Sequence, residues 1–160
     1  MLGKRKLESL QKKRRYGMGR MLLLARKDFL ERLAQAMRNR QEELPSSSAT
    51  LLPFVDLQGT RSTEIARRMG VSKQAAAKAV KDLETVGLLM REPDETDARA
   101  SRIRFTPHGL RYMVKLHDAI DEVEADYTRL LGAEQIQALR QALFLIAYDN
   151  DPSPPEVADR

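Results

Sequence analysis

Between Thr60 and Thr106 two short helical patterns, each closed by a glycine, run into a strand, a polar loop and a return strand. The helical patterns Thr63–Met69 and Lys73–Val86 end at Gly70 and Gly87, the position where a left-handed residue closes a helix. Gly70-Val71-Ser72 joins them by a tight turn, with Ser72 as N-cap of the second and Ser62 or Arg61 ahead of the first. Leu88–Arg91 reads as a strand, Glu92–Ala98 as a loop and Arg99–Phe105 as the returning strand. That order predicts a winged helix-turn-helix: a mainly α chain with a small β wing.

Long amphipathic patterns flank this unit. From Met18 to Glu43 the residues Met21, Leu22, Ala25, Phe29, Leu33, Ala36 and Met37 form one helical stripe. Pro45 and Ser46–Ser48 stop it and cap a short helix, Ala49–Leu57, in which Pro53 is tolerated only with distortion. Thr106-Pro107 is an N-cap followed by proline at the first helical position. A long helix then runs to about Leu131, Gly132 breaks it, and Ala133–Tyr148 forms a last helix with Ile136, Leu139, Leu143 and Ile146 on one face. The organisation expected is a basic flexible or partly helical arm over 1–17, one domain over 18–148 and a disordered tail over 149–160. Within that domain the winged helix covers 49–106, and the flanks 18–43 and 107–148 supply dimerisation helices. They offer more apolar surface than one winged unit can cover, which predicts a two-fold homodimer; an intramolecular bundle is the alternative.

Charge separates along the chain. Met1–Glu42 holds 13 Lys/Arg against 4 Asp/Glu, Thr60–Thr106 holds 10 against 7, and Pro107–Arg160 holds 5 against 10. A basic front half suits a polyanion, although solvated charge without a partner is the simpler account. The absence of cysteine excludes disulfides, thiolate metal sites and a thiol redox switch. No apolar run is long enough to span a membrane, and the short run Met21–Ala25 is a poor secretion signal, so a cytoplasmic protein without a membrane partner is expected. Two histidines and no glycine-rich phosphate loop leave no metal, cofactor or catalytic constellation, and an enzyme is not expected.

The second helix of the pair has the residue types a DNA groove requires. Small side chains, Ala77 among them, allow close approach; Gln74 can bond adenine bidentately, and Lys73, Lys78 and Lys81 can reach guanine or phosphate. Ser72 caps the helix and can also donate to a phosphate. Val80, Leu83 and Val86 are expected on the opposite side, against Ile65 and Met69. In the hairpin, alternation places Ile103 and Phe105 inward and Arg102 and Arg104 outward. Arg99 stands at the loop end, where Asp97 can orient its guanidinium toward a minor groove.

The run from Ser62 to Leu110 resembles the winged-helix region of the MarR family of bacterial transcription regulators. The resemblance is carried most specifically by Asp97-x-Arg99 followed by Ile103-x-Phe105-Thr106-x-x-Gly109. Glu64-Ile65-Ala66 through Leu83-Glu84 and Gly87-Leu88 is similar too, and with the flanking helices the likeness covers residues 18–148. It implies a homodimer with a recognition helix (Ser72, Lys73, Gln74, Lys78) in the major groove of double-stranded DNA and a wing arginine, Arg99, in the minor groove. It further implies a repressor relieved by a small aromatic or phenolic effector. Tyr16, Arg20, Phe29, Phe54 and His117 are candidate effector contacts, chosen by position; ordinary packing is their plainer role. Two other readings stand beside a sequence-specific regulator: a winged-helix protein-interaction module, and a DNA-binding protein without a defined operator.

Overall fold

The computed structural model describes residues 3–94 and 100–149. The chain divides into two compact units, Met1–Ile120 and Asp121–Arg160. In the first, α1 (Lys4–Tyr16), α2 (Met18–Asn39), α3 (Ser46–Leu51) and a 3-10 turn (Leu52–Phe54) precede β1 (Thr60–Arg61). Then come α4 (Ser62–Met69), α5 (Lys73–Thr85), β2 (Leu89–Pro93), β3 (Ser101–Phe105) and the start of α6 (Pro107–Leu131). The second unit holds the end of α6 and α7 (Ala133–Tyr148).

The core of the first unit joins the helix pair to its flanks. Leu33, Ala36 and Met37 of α2, Leu51 and Leu52, Ile65 and Ala66, Val80 and Leu83, Ile103, Tyr112 and Leu116 are all buried. Only the C-terminal half of the α2 stripe is covered; Met21, Leu22, Leu23 and Leu24 remain at least 41% exposed. The buried Tyr112 hydroxyl donates to the Glu43 carbonyl at 3.1 Å, and burial pushes its phenol pKa up.

The sheet has the order β1-β3-β2 with antiparallel pairing throughout, Thr60 opposite Ile103 and Leu89 opposite Phe105. The strand β1 was not expected, because two residues carry no periodicity. Near it, the expected helix Ala49–Leu57 is corrected to α3 plus a 3-10 turn. Pro53 has no N–H to continue the α ladder, and Pro45, not a serine, takes the N-cap position.

Within the second unit α7 has no buried residue. Leu139, Leu143, Leu145 and Ile146 are 44–69% exposed, so a mainly apolar helix face stands uncovered. Gly132 enters α7 with φ of +87°, a conformation that suits glycine. Among the described residues no helix is long and apolar enough to cross a membrane.

Candidate nucleic-acid interface

Both helices of the pair close as their glycines predict. Gly70 has φ of +65°; its N–H bonds the Arg67 carbonyl at 3.1 Å and Val71 N–H bonds Ala66 at 3.2 Å. Gly87 has φ of +72°, with the matching bonds to Glu84 at 3.0 Å and from Leu88 N–H to Leu83 at 2.9 Å. These reciprocal bonds satisfy the last carbonyls and turn the chain sharply. Ser72 Oγ accepts from Ala75 N–H at 3.1 Å, so the N-cap of α5 is in place.

The apolar side of α5 fixes which face looks outward. Ala76, Val80 and Leu83 are buried, while Ser72, Lys73, Gln74, Ala77, Lys78 and Lys81 are exposed. The sequence-predicted contact residues of this helix therefore share one solvent-facing surface, beginning at its positive N-terminal end. Val86 departs from the expectation. It lies beyond the last helical turn and is 48% exposed rather than packed.

In the hairpin, Ile103 and Phe105 are buried as alternation requires, but the outward placement of Arg102 and Arg104 needs correction. Arg102 Nη1 donates to the Gly59 carbonyl at 3.0 Å and Nη2 to Asp94 at 3.3 Å, leaving its side chain 29% exposed. Arg104 pairs with Glu92 at 3.3 Å. The third strand, β1, brings Gly59 and Arg61 alongside these arginines, and a two-residue strand gives no sequence signal for that. Asp97 and Arg99 lie outside the described residues.

A division between cations follows. Arg61, Arg67, Arg68, Arg91, Arg102 and Arg104 each pair with a carboxylate of this unit. Arg67 and Arg68 both hold Glu64, whose pKa falls to about 2 because two guanidinium hydrogen bonds favour its charged form. Asp56 is lowered as well, chiefly by its hydrogen bond from Arg68. Lys73, Lys78 and Lys81 make no side-chain hydrogen bond or ion pair among the described residues, and all stand on the exposed face of α5. Amines on that face, with the Gln74 amide between them, can donate to phosphate oxygens and to acceptors on base edges.

The candidate effector residues are dispersed. Tyr16 and Arg20 line an open groove of about 600 Å³ between the end of α1 and the start of α2, together with Glu8, Gln11, Lys12, Arg14 and Arg15. Phe29 and Phe54, both half-buried, and the exposed His117, whose Nδ1 lies 2.9 Å from the Met113 carbonyl, do not line it. No cluster of metal-ligating side chains occurs among the described residues.

Comparison with known proteins agrees with this architecture. The MarR family model matches residues 44–100, the stretch that holds the helix pair and the first strand of the hairpin. A Thauera aromatica protein named as a transcriptional regulatory protein for the hcr operon is 30% identical over 78 residues, 48% of this chain and 47% of that protein. The match thus spans about half the length of that relative. A MarR-family transcriptional regulator from Rhodococcus sp. RHA1 has the same fold at a TM-score of 0.68 and 21% identity, covering 83% of this chain and 94% of that one. The transcriptional repressor CouR, solved bound to a 23-mer DNA duplex, is 27% identical at a TM-score of 0.61, covering 81% and 92%. A CouR from Rhodococcus jostii RHA1, solved bound to p-coumaroyl-CoA, is similar at 22% identity and a TM-score of 0.66, with coverage of 88% and 96%. These relatives carry the names of transcriptional regulators, not of enzymes. With a capped helix pair, a three-stranded wing sheet and a family model matched over residues 44–100, the chain carries a winged helix-turn-helix like that of the MarR family of transcription regulators.

Proposed function

We propose that this chain is a cytoplasmic, homodimeric transcriptional repressor that binds a pseudo-palindromic operator in double-stranded DNA. The outward face of α5 carries the reading: Ser72, Lys73, Gln74, Ala77, Lys78 and Lys81 are exposed together, opposite a buried face that holds the helix to the core. In the complex α5 enters the major groove, with Gln74 on base edges and the lysines on phosphate or guanine. Arg99, oriented by Asp97, reaches the adjacent minor groove, and Arg102 supports the wing base. The repressor CouR with its bound duplex lends the reading a precedent among relatives.

The dimer follows from uncovered apolar surface. Met21–Leu24 of α2 and the Leu139, Leu143 and Ile146 face of α7 each stand exposed within their own unit, and a second copy buries them. Two α5 helices then read half-sites one helical turn apart. A small aromatic or phenolic ligand releases the operator; the CouR of Rhodococcus jostii RHA1, solved bound to p-coumaroyl-CoA, is a relative with an aromatic ligand.

Selection of bound duplexes from fragmented genomic DNA, with sedimentation of the chain alone, tests the proposal. A recurrent inverted repeat and a dimer support it. Equal retention of all fragments, or a monomer at micromolar concentration, overturns it.

A further inference from the structure

The Asp94 carboxylate is wholly buried where the loop end of the hairpin meets the residue ahead of α4. Arg61 grips it bidentately, with Nε 2.9 Å from Oδ2 and Nη2 3.0 Å from Oδ1. Arg102 Nη2 approaches Oδ2 at 3.3 Å while its Nη1 donates to the Gly59 carbonyl at 3.0 Å. The same aspartate closes the hairpin through its backbone, its N–H bonding the Ala100 carbonyl at 3.0 Å. One carboxylate thus joins β2, β3 and the entry to α4.

Two local costs accompany this arrangement. Arg61 occupies the N-cap position of α4, where Ser, Thr, Asp or Asn would accept a helix N–H, and it makes no side-chain cap. A cation there also opposes the positive end of the helix dipole. A fully buried carboxylate adds its own desolvation cost, and apolar residues of similar volume often hold such a junction as well. What a bidentate ion pair adds is direction: it fixes the angle between the groups that carry it.

We infer that Asp94 is a positioning residue, clamped by Arg61 and Arg102, that makes the wing and the helix pair engage duplex DNA as one body. This rests on the DNA-binding reading above and extends it to residues that need not touch a base. Loss of the clamp should then cost affinity only through the residues between Asp94 and Ala100, Arg99 among them.

A double-mutant cycle tests this. A duplex recovered by genomic selection is titrated at fixed salt with the full chain, Asp94→Asn, Arg99→Ala and the double variant. Asp94→Asn is expected to weaken binding about tenfold in the parent background and less than about twofold when Arg99 is already alanine. A general loss of structure would weaken both backgrounds equally, so equal losses, or no loss in the parent, overturn the inference. If Asp94→Asn does not fold, Arg61→Met is read in the same cycle, since it leaves Arg102 on the carboxylate. A parent chain that binds no duplex overturns the DNA reading itself, and the clamp assignment with it.

Discussion

The carbonyl oxygen of Leu88 occupies the space that a side chain would need at Gly109: a Cβ there would lie 1.9 Å from it. Thr106 completes the junction. Its Oγ1 accepts from Gly109 N–H at 2.9 Å and donates to the Gly87 carbonyl at 2.5 Å, while its own N–H bonds Leu88 at 3.1 Å. The first turn of α6 therefore packs backbone to backbone on the residues that open β2. The spacing Thr106-x-x-Gly109 is a statement about that junction, not about DNA.

Gly109→Ala should accordingly displace α6 from β2 and destabilise the chain by about 1–3 kcal/mol, the usual range for overpacking. Urea titration followed by circular dichroism measures the loss. A midpoint within error of the parent would show that the junction gives way freely.

Ser72→Ala removes the N-cap of α5 and should cost about 1 kcal/mol of stability. Ser72→Asp keeps an acceptor at the same place and should retain stability, while its charge repels phosphate and weakens DNA binding. Parallel denaturation and DNA titration separate the two effects.

Replacement of Gln74 by alanine should change which duplexes are recovered in a random-site selection, since an amide reads base edges. Lys78→Ala should instead weaken all duplexes alike and reduce the salt slope by about 0.9, the contribution of one neutralised phosphate. Selection and titration at several salt concentrations distinguish these outcomes.

Glu64 supplies a pH dependence. Its pKa in the folded chain is about 2 against an ordinary value of 4.5, so its stabilising effect is complete above the ordinary value and is lost as pH falls toward 2. The difference in stability between the parent and Glu64→Gln should therefore narrow as pH falls from about 5 to about 2.5. Because this side chain is partly exposed to solvent, the narrowing should also shrink in high salt. A pH-independent difference would show that the Arg67 and Arg68 bonds contribute nothing in solution.

Deletion of residues 1–15 should leave the urea midpoint unchanged, because α1 buries none of its residues. Its Lys4, Arg5, Lys6, Lys12, Lys13, Arg14 and Arg15 are expected to act on phosphates. The deletion should then flatten the salt dependence of DNA binding by about 0.9 for every phosphate that the arm neutralises. An identical slope would make α1 a bystander.

Much of this arrangement was legible in the chain itself, for local reasons. Gly70, Gly87, Ser72 and Pro107 act within one turn of where they stand, so the ends of α4 and α5 and the start of α6 follow from their neighbours alone. Contacts made across the fold were not legible. The pairing of Thr60-Arg61 with β3 has no pattern to announce it, and so the half-buried state of Arg102 escaped the alternation argument. The N-terminal half of α2 reads as core because apolar periodicity reports a face but not what covers it. Tyr16, Arg20, Phe29, Phe54 and His117 were grouped by position, and no local rule brings side chains from separate elements into one pocket. Asp94 shows no signature either: a carboxylate in a polar loop gives no hint that two arginines will enclose it.

The separation of arginines from lysines between Thr60 and Thr106 has a chemical consequence. Among the described residues the guanidinium groups of this stretch pair with its own carboxylates, while the outward charge of α5 resides in the primary amines of Lys73, Lys78 and Lys81. Acylation neutralises amines and spares guanidinium groups, so it would erase the charge of this face and leave these arginine pairs intact. Reductive methylation would preserve that charge on the same atoms. The exposed face of α5 is thus addressable by reagents to which the arginine pairs beside it are inert.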